Sequence, residues 1–354
     1  MPAHAPQPED PAGRPIRVAL AGFGLAGEIL HLPLLKHAGF DVCAVLTSRT
    51  ERARQCLPAA QVVPAFDDLL AVPGIELLVI ATPNDLHARQ AAAALDAGLH
   101  VVVDKPVALS VRQLDELMDH ARRQRRWLVP FHNRRFDADW LTVRGVCDGG
   151  ELGRIVQFRA RWDRYRPAIA DRWRERAAAG GGILLDLGTH LIDQAVSLFG
   201  MPQWLTADIR RQRQGAAVDD GFEILMECRG VQVSLAASML AAAADARYRV
   251  HGTDGSFVKA GMDPQEDWLR GGGSPADDGF GVEAAEQWGV LTLAGQPRRV
   301  ASQRGHWPAF YARLRRCLCE GGEPPVAAQA ARDVLRVIEA ARASCDEGRR
   351  IALT

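Results

Sequence analysis

Three ionisable side chains in the second half of the chain have a spacing that places them together on a helix. Asp186, His190 and Asp193 are four and then three residues apart, so on a helix they share one face. Their neighbours are mainly Leu and Ile, among which ionisable groups are costly to bury unless they have partners or a task. A His can exchange a proton with an alcohol near neutral pH, and a neighbouring Asp would orient it and favour its protonated form. The alternative is a core histidine that is hydrogen-bonded to an aspartate.

A glycine-rich segment near the amino terminus has the spacing of a dinucleotide-binding turn. It follows an apolar stretch and opens a helical one, and its residues form the pattern G-x-G-x-x-G: Gly22, Phe23, Gly24, Leu25, Ala26 and Gly27. The first glycine permits a tight turn, the second lets the backbone approach a pyrophosphate, and the third lets helix and strand pack closely. The helix N-terminus adds N–H donors and partial positive charge. A glycine-rich turn without a ligand is the alternative, but its place after the first predicted strand favours a nucleotide.

The end of the second apolar stretch bears on the choice between NAD and NADP. NAD enzymes usually place an acidic residue there, about 20 residues past the glycines, to bind the ribose 2′-hydroxyl. This chain has Thr47, Ser48 and Arg49 instead, and these groups can bind a 2′-phosphate that a carboxylate would repel. The alternative is that Thr47 or Ser48 caps the next helix and Arg49 is solvated. We predict NADP(H) as the preferred cofactor, with NAD(H) as the alternative.

Two more polar segments follow apolar stretches in the first third of the chain. One contains Thr82, Pro83 and Asn84, with His87 one helical turn later, and the other contains Lys105 followed by Pro106. Ligands bind at the carboxyl ends of the strands in a doubly wound sheet. Lys105 could therefore donate to a substrate oxygen or to the nicotinamide ribose, and a solvated lysine is the alternative.

Charged and aromatic residues also cluster between Arg161 and Pro167, at the predicted end of a later strand. Aromatic faces suit the C–H groups of a hydroxyl-rich ring, and charged groups suit its hydroxyls. We therefore predict that Asp163, Tyr165 and Arg166 bind substrate. An exposed, soluble strand edge would give the same composition.

The hydrophobic pattern predicts the elements that must hold these groups. In the first third, short stretches that are apolar on both faces alternate with helical ones, which is typical of a parallel sheet covered by helices on both sides. The predicted strands are Ile16–Ala21, Asp41–Leu46, Gln61–Val63, Leu77–Ile80, His100–Val103 and Trp127–Phe131, and the clearest helices are Asn84–Ala97 and Ser110–Gln124. Pro33 is expected to kink or shorten the helix that follows the glycines.

From about residue 134 the pattern changes to strands joined by short turns that contain Gly or Asp, which predicts a meandering antiparallel sheet. The predicted strands are Arg154–Trp162, Trp204–Gln212, Phe222–Cys228, Val231–Ser238 and Arg247–His251. Helices are predicted at Asp137–Cys147, near Gly182–Phe199, around Trp307–Cys319 and at Ala327–Ser344, and Asp263–Gly281 reads as a loop or lid.

Composition narrows the class of protein. Lys plus Arg (43) equals Asp plus Glu (43), so no charge excess points to nucleic acid or an anionic membrane. Seven scattered cysteines indicate reduced thiols, and no cluster of His, Cys and Asp has the spacing of a metal site. No stretch reaches the ~18 apolar residues of a membrane span. We predict a cytoplasmic protein without a metal, in which residues 1–14 form a disordered leader rather than a signal peptide.

Together these motifs resemble the glucose–fructose oxidoreductase, inositol dehydrogenase and rhizopine-catabolism (Gfo/Idh/MocA) family. The resemblance covers nearly the whole chain after the leader, and Asp104 stands before Lys105 where the family usually has Glu. More specifically, the chain is similar to the NADP-dependent scyllo-inositol dehydrogenases. That similarity rests on the segments Thr47–Thr50, His132–Arg135, Tyr165–Pro167, Asp171–Glu175, Leu187–Gln194 and Gln265–Asp267.

The resemblance implies a division of the chain and a set of partners. Residues 15–133 would form a Rossmann NAD(P)-binding domain with a doubly wound parallel sheet. Residues 134–354 would form an α+β domain with a large, mainly antiparallel open sheet, whose outer face would join copies into a homodimer or homotetramer.

The resemblance also implies roles for the site residues. Lys105, Asp186 and His190 would be catalytic and would contact a cyclic polyol bound above the nicotinamide, and Asn133 would join the cofactor site. His190 would take the hydroxyl proton, Lys105 would hydrogen-bond the reacting oxygen or the nicotinamide ribose, and Asp186 would position the substrate or His190.

Three other functions remain open on the sequence. A sugar or keto-sugar dehydrogenase or reductase would use the same mechanism. A glycosidase that keeps NAD as a bound cofactor would release an aglycone, and a nucleotide sensor without enzymatic activity would retain only the nucleotide site. The presence of both Lys105 and His190 argues against the sensor.

Overall fold

The computed structural model describes residues 15–243 and 245–353. The leader predicted for residues 1–14 lies outside the described residues. None of the helices within the described ranges combines the length and the apolar character needed to cross a membrane.

The first half of the chain forms the predicted parallel sheet. Its strands are β1 (Arg17–Ala21), β2 (Asp41–Leu46), β3 (Gln61–Val63), β4 (Leu77–Ile80), β5 (His100–Val103) and β6 (Leu128–Pro130), and they lie in the order β3-β2-β1-β4-β5-β6. The helices are α1 (Leu32–His37), α2 (Thr50–Cys56), α3 (Phe66–Leu70), α4 (Asn84–Asp96) and α5 (Val111–Gln124). The strand order reverses beside β1, so the carboxyl ends of β1 and β4 border the crevice where doubly wound sheets bind ligands.

The helix after the glycine-rich turn is interrupted, as Pro33 predicts. A π-helical turn covers Ala26–His31, and α1 begins at Leu32 with Pro33 in its first turn. Proline has no N–H to donate to the preceding turn, so the regular α-helical ladder does not continue through it.

The second half forms a nine-stranded sheet with helices on one face. Its strands are β7 (Ile155–Arg161), β8 (Trp204–Arg210), β9 (Gly221–Cys228), β10 (Val231–Ser238), β11 (Tyr248–Gly252), β12 (Gly255–Lys259), β13 (Gly289–Leu293), β14 (Gln296–Val300) and β15 (Ile351–Ala352). The helices are α6 (Ala138–Asp148), α7 (Thr189–Phe199), α8 (Gln265–Arg270), α9 (Pro308–Glu320) and α10 (Ala328–Glu347).

Two expectations about the second half of the chain are corrected by the structure. The strand order is β14-β13-β12-β11-β7-β10-β9-β8-β15, so β7 lies between β11 and β10 and runs parallel to β10, and the sheet is not a simple meander. The segment Asp263–Gly281, expected to be a loop or lid, contains α8. The side chains of Gln265 and Leu269 in α8 are buried, so this segment is part of the packed structure.

Helices from the end of the chain return to the first sheet. Side chains of α9, including Phe310 and Tyr311, share a buried core with β1 and β2, and α10 packs beside α5. The predicted domain boundary at residue 133 falls in the 3₁₀ turn Asn133–Phe136, between β6 and α6. The division into 15–133 and 134–354 stays a prediction, because both halves of the chain contribute to the first core.

One buried arginine, Arg213, contributes to holding the segment from residue 162 to 183 in place. The Arg213 guanidinium donates to Asp220 Oδ2 at 2.9 Å and to Glu175 Oε2 at 2.7 Å, and all three side chains are buried. Arg213 also reaches the carbonyl oxygens of Arg166 and Ala168 at 3.4 Å. This cluster ties the irregular segment to the second sheet.

Removal of this arginine is predicted to destabilise the protein strongly. We expect Arg213→Met to lower the free energy of unfolding by about 3–5 kcal/mol, because it leaves the buried Asp220 carboxylate without its cation and Glu175 with Arg172 alone. Urea denaturation measures the loss, and Arg213→Met combined with Glu175→Gln and Asp220→Asn should recover much of it. A single-variant loss below about 1 kcal/mol, the range of an exposed ion pair, would show that the cluster does not anchor the segment.

Candidate active site

The glycine-rich turn leaves an open cradle at the carboxyl end of β1. A Cβ atom on Gly22 would lie 2.5 Å from the Ala81 carbonyl oxygen, and one on Gly27 would lie 2.0 Å from the Gly22 carbonyl oxygen, so neither position tolerates a side chain. Gly24 has no atom within 4 Å of its hypothetical Cβ, so the backbone is open to a ligand there. These are the close approaches that a dinucleotide-binding turn requires.

A cavity of about 240 Å³ begins at this turn and extends toward the second sheet. It is lined by residues of both halves of the chain: Gly22, Gly24, Leu25, Ala26, Ala81, Thr82, Pro83, Asn84, Asp104, Lys105, Trp173, Arg174, Gly180, Gly181, Gly182 and Asp186. The structure therefore brings the predicted glycines, the Thr82–Asn84 segment, Lys105 and Asp186 to one site. Phe23 lies below the turn with its side chain buried.

Two arginines and a glutamate form a fork beside the end of β2. Glu28, which is almost buried, accepts from Arg49 Nη1 at 2.8 Å and from Arg52 Nε at 2.6 Å. Arg49 Nη1 also donates to the Phe23 carbonyl oxygen at 3.0 Å. Both guanidiniums are half exposed, so their other nitrogens face solvent with a net positive charge. The fork fits a phosphate group.

Thr47 and Ser48, the other two residues predicted to bind the cofactor after β2, do not belong to this fork. The Thr47 hydroxyl accepts from the Arg49 backbone N–H at 2.9 Å in the turn before α2, and Ser48 is exposed. This bond does not cap α2, because the helix begins only at Thr50. The sequence interpretation missed Arg52, although it lies three residues after Arg49, one turn further along α2, where the helix can present both on one side.

Two predicted cofactor residues take part in the turn at the end of β4, and of the two only Thr82 also lines the cavity. His87 is buried, and its ring nitrogens lie 2.7 Å from the Pro106 carbonyl oxygen and 2.8 Å from the Thr82 carbonyl oxygen. The Thr82 hydroxyl donates to Gln90 Oε1 at 2.6 Å. The expectation that His87 contacts the cofactor is corrected, because its buried imidazole joins two backbone turns and does not line the cavity.

Asn84 and Asn133 both lie in buried positions. Asn84 Nδ2 donates to the Gly180 carbonyl oxygen at 2.8 Å, so this residue links the first sheet to the segment that precedes α7. Asn133 begins the 3₁₀ turn after β6 and does not line the cavity.

Lys105 and Asp186 meet where the cavity reaches the second half of the chain. Lys105 Nζ donates to Asp186 Oδ1 at 3.0 Å and to the Asp186 carbonyl oxygen at 2.5 Å. Arg174 Nε lies 3.4 Å from Asp186 Oδ1, and Arg164 Nη1 lies 3.7 Å from Asp186 Oδ2. Burial would raise the pKa of Asp186, but the charges of these three cations outweigh it and hold that pKa well below its usual value. Asp186 is therefore ionised at neutral pH.

His190 lies on the first turn of α7 and is neutral. Its side chain is buried, and Nδ1 has no hydrogen-bond partner among the residues that the structure describes. Its ring lies against Trp162, with the ring centroids 5.7 Å apart. Burial is the largest reason that the pKa of His190 lies well below its ordinary value, and four positive or titratable neighbours lower it further: Lys105, Arg134, His132 and Arg247.

The two aspartates do not orient His190, which corrects the expectation from their spacing. Asp186 lies in a π-helical turn over Leu184–Gly188, which holds an additional residue per turn, and pairs with Lys105. Asp193 accepts from Arg135 Nε and Nη2 at 2.8 and 2.7 Å. The histidine is therefore set up as a neutral base rather than as an imidazolium.

The substrate role of the residues around position 164 stays a prediction. Asp163 pairs with Arg161 at 2.9 Å and accepts from the Ser238 backbone N–H, and Tyr165 and Arg166 are exposed. None of the three lines the cavity. In an extended segment alternate residues face opposite sides, and it is Arg164 that approaches Asp186 from this segment.

Arg164 and Arg174 were missed as site residues. Alternation counted from buried Trp162 would have placed Arg164 on the inner side. No pattern in the sequence indicated that Arg174, from an irregular segment, reaches Asp186.

No group of three or more His, Cys, Asp and Glu side chains suited to a metal ion occurs within the described ranges.

Two family models match the chain. The model for the NAD-binding Rossmann fold of an oxidoreductase family matches residues 16–132, and the model for the C-terminal alpha/beta domain of the same Gfo/Idh/MocA group matches residues 146–353. Together they span most of the chain.

Similar proteins are known from bacteria. An uncharacterised oxidoreductase, YdgJ from Escherichia coli (strain K12), is 42% identical over 92% of this chain and 94% of its own. The scyllo-inositol 2-dehydrogenase (NADP(+)) IolW from Bacillus subtilis (strain 168) is 36% identical over 96% of both chains. A solved structure of the oxidoreductase YvaA from Bacillus subtilis superposes with a TM-score of 0.92 and 36% identity, covering 96% of this chain and 98% of that one.

The charge of Lys105 is predicted to act on His190. We expect Lys105→Met to raise the pKa of His190 toward its ordinary value of 6.5, because it removes a nearby cation and leaves the Asp186 carboxylate without it. NMR titration of protein labelled with ¹³C-histidine measures this pKa, with His190→Asn used to assign the signal. Arg166→Met, which removes an exposed cation that does not line the cavity, is the matched control. An equal pKa in both variants would refute the coupling.

Proposed function

The chain belongs to the Gfo/Idh/MocA family of oxidoreductases, and from this premise we propose that it interconverts a cyclic polyol and its ketone with NADP(H), the pair being scyllo-inositol and scyllo-inosose. The observation that carries the proposal is the meeting of Lys105 and Asp186 at one end of a cavity whose other end is the glycine-rich turn. The similarity to IolW over 96% of both chains supports the choice of substrate. An aldose or keto-sugar would be handled by the same groups.

The residues that would hold the dinucleotide surround the open backbone at Gly24. The backbone of Gly22 through Ala26 would carry the pyrophosphate, and Thr82, Pro83 and Asn84 would border the nicotinamide half. A bound nicotinamide would supply the hydride acceptor for the carbinol carbon and, in its reduced form, the hydride donor for the ketone.

The proton of the hydroxyl group is assigned to His190. Its Nδ1 is enclosed by protein, so Nε2 is the nitrogen that would accept the proton as the C–O bond becomes a carbonyl. The low pKa of His190 keeps this nitrogen free of a proton before the reaction. In the reverse direction the same atom returns the proton to the alkoxide oxygen.

Lys105 would hydrogen-bond the reacting oxygen, where its charge stabilises the alkoxide character that develops in either direction. Asp186 holds the Lys105 ammonium through both its carboxylate and its backbone carbonyl oxygen. We therefore assign Asp186 the positioning of Lys105, in place of the positioning of His190 that its spacing suggested.

The preference for NADP(H) over NAD(H) would come from the fork of Arg49 and Arg52. Glu28 uses one nitrogen of each guanidinium, so the remaining N–H groups can bind a 2′-phosphate, and the three side chains together carry one positive charge. A carboxylate beside this ribose would ordinarily favour NAD, but Glu28 is already paired with both cations.

We also propose an oligomeric state and a cellular location for the enzyme. The outer face of the nine-stranded sheet carries exposed polar side chains such as Arg159, Glu223 and Gln232, and this face would join copies of the chain into a homodimer or homotetramer. We place the reaction in the cytoplasm, with a small molecule as its partner and with neither nucleic acid nor membrane involved.

Turnover with a panel of polyols tests the reaction. We expect purified protein to reduce NADP⁺ with scyllo-inositol faster than with myo-inositol or glucose, and faster than it reduces NAD⁺, as measured by absorbance of the reduced nicotinamide. His190→Asn is expected to lose roughly 10²–10⁴-fold in turnover, the usual contribution of a general base, while its Kd for NADPH is unchanged.

Other outcomes of this panel would change the assignment. Oxidation of an aldose in preference to every inositol would overturn the substrate and leave the mechanism. Tight NADPH binding without turnover of any polyol or ketone would overturn the dehydrogenase and favour the sensor or the glycosidase.

Arg52 is predicted to contribute to cofactor discrimination. We expect Arg52→Ala to weaken NADPH binding by about 10–100-fold, since a hydrogen bond to a charged group contributes about 1.5–3 kcal/mol, and to leave NADH binding unchanged. Isothermal titration calorimetry gives both Kd values. Arg54→Ala on the same helix is the matched control, because Arg54 pairs with Glu51 in an exposed position. Equal weakening of NADPH and NADH binding by Arg52→Ala would contradict a 2′-phosphate contact.

A further inference from the structure

His190 lacks the hydrogen bond that usually fixes a histidine used in proton transfer. Such an imidazole commonly donates from its second nitrogen to a carboxylate or backbone oxygen, which fixes its plane and tautomer. In this chain Nδ1 of His190 has no partner within the described residues. The two aspartates near it in sequence pair with Lys105 and Arg135. The orientation of this ring must therefore come from packing.

The indole of Trp162 supplies that packing. Trp162 is only 3% exposed, and its ring lies 5.7 Å from the His190 ring between centroids, at an interplanar angle of 38°. It follows β7 directly, so the second sheet fixes its backbone. The Trp162 backbone N–H donates to the Ala236 carbonyl oxygen of β10 at 3.0 Å.

Three guanidiniums hold the indole in turn. The Cζ atoms of Arg247, Arg134 and Arg164 lie 4.3, 4.9 and 5.5 Å from the Trp162 ring centroid. Each distance is within the roughly 6 Å at which a cation is attracted to an aromatic face. The ring is therefore held by electrostatic attraction as well as by packing.

Two of these cations are themselves fixed by other groups. Arg134 reaches Asp137 at 3.3 Å and Glu266 at 2.5 Å, and Arg247 donates to the Arg161 carbonyl oxygen at 2.7 Å. Arg134 and Arg247, which contact Trp162, are thus held in turn by groups of α8 and of the second sheet.

The third cation connects Trp162 to the other half of the site. Arg164 lies over the indole and also 3.7 Å from Asp186, which holds Lys105. Trp162 therefore contacts His190 directly and is connected to the Lys105 ammonium through Arg164 and Asp186.

We propose that Trp162 is a positioning residue that sets the imidazole of His190 relative to the Lys105–Asp186 pair through a single aromatic ring. The inference rests on the proposed function in taking His190 as the proton acceptor. His190 and Lys105 would act on the same hydroxyl oxygen, so the distance between their side chains has to suit that oxygen. The shared contact with Trp162 would set this distance.

Loss of the indole has a consequence beyond misplacement. His190 is faced by Lys105 at the tip of β5, by His132 and Arg134 after β6, and by Arg247 before β11. Arg164 lies over the indole and near Asp186. Burial is the largest cause of its lowered pKa. Water admitted in place of the indole would therefore raise the pKa of His190 toward 6.5. Protonation of His190 would then abolish activity at a higher pH than in the wild-type protein.

The experiment compares replacements that keep or remove the aromatic plane. Trp162→Phe keeps a ring against His190, whereas Trp162→Leu removes it, and Trp162→Met removes the plane while filling more of the space. Trp140→Leu is the matched control, since Trp140 is a buried tryptophan of the same half of the chain that packs on Phe158 and Tyr248. For each variant we would measure kcat and KM against pH, the Kd of NADPH, and the His190 pKa by NMR.

We expect Trp162→Leu and Trp162→Met to lose roughly 100-fold in kcat, the scale of a 1 Å misplacement, with NADPH binding unchanged. The acid limb of the kcat/KM profile and the His190 titration should both move to higher pH, and Trp162→Phe should retain most of the turnover and the wild-type titration. Trp140→Leu should lower stability without moving the acid limb. If Trp162→Leu does not fold, Trp162→Met carries the comparison.

The outcomes separate this inference from the proposed reaction. The wild-type protein could prove inactive toward every polyol while the pKa of His190 still rises in Trp162→Leu or Trp162→Met. That result would support the positioning role of Trp162 and overturn the proposed reaction. A titration and an acid limb that stay in place in both variants, or a Trp162→Phe variant as impaired as they are, would overturn the role of Trp162.

Discussion

The contact between Lys105 and Asp186 is the interaction on which the site depends. It joins the tip of a strand in the first sheet to a π-helical turn before α7, and it closes the far end of the cavity that begins at the glycine-rich turn. A carboxylate in this half-buried position is tolerated because three cations surround it. One of these cations, Lys105, also lowers the pKa of His190, for which burial is the largest cause.

Much of the fold follows from local patterns that the sequence displays openly. The six strands of the first sheet are short apolar stretches with water excluded from both faces, so their ends differ from the predicted ends by at most one residue. The glycines at 22 and 27 could be assigned because a Cβ atom at either position has no room. Lys105 and Asp186 were found because an ionisable group next to buried strands or helices needs a reason to be there.

The remaining features depend on relations that no local pattern contains. His87 and Asp163 are polar residues beside the site, and only tertiary packing determines that one joins two backbone turns and the other faces away from the cavity. Strands β12, β13 and β14 were not predicted, because they are short and partly polar and pair at the exposed end of the sheet. The pairing of Asp193 with Arg135 could not be inferred either, since no local pattern relates α7 to the turn after β6.

The return of α9 to the first sheet has a consequence for how the protein is made. Trp307, Phe310 and Tyr311 complete the apolar layer over strands that were synthesised almost 300 residues earlier. Until these residues leave the ribosome, that layer is exposed to water, and contacts of such long sequence separation form late and slowly. The apolar core of the first sheet is therefore complete only after α9 has been synthesised.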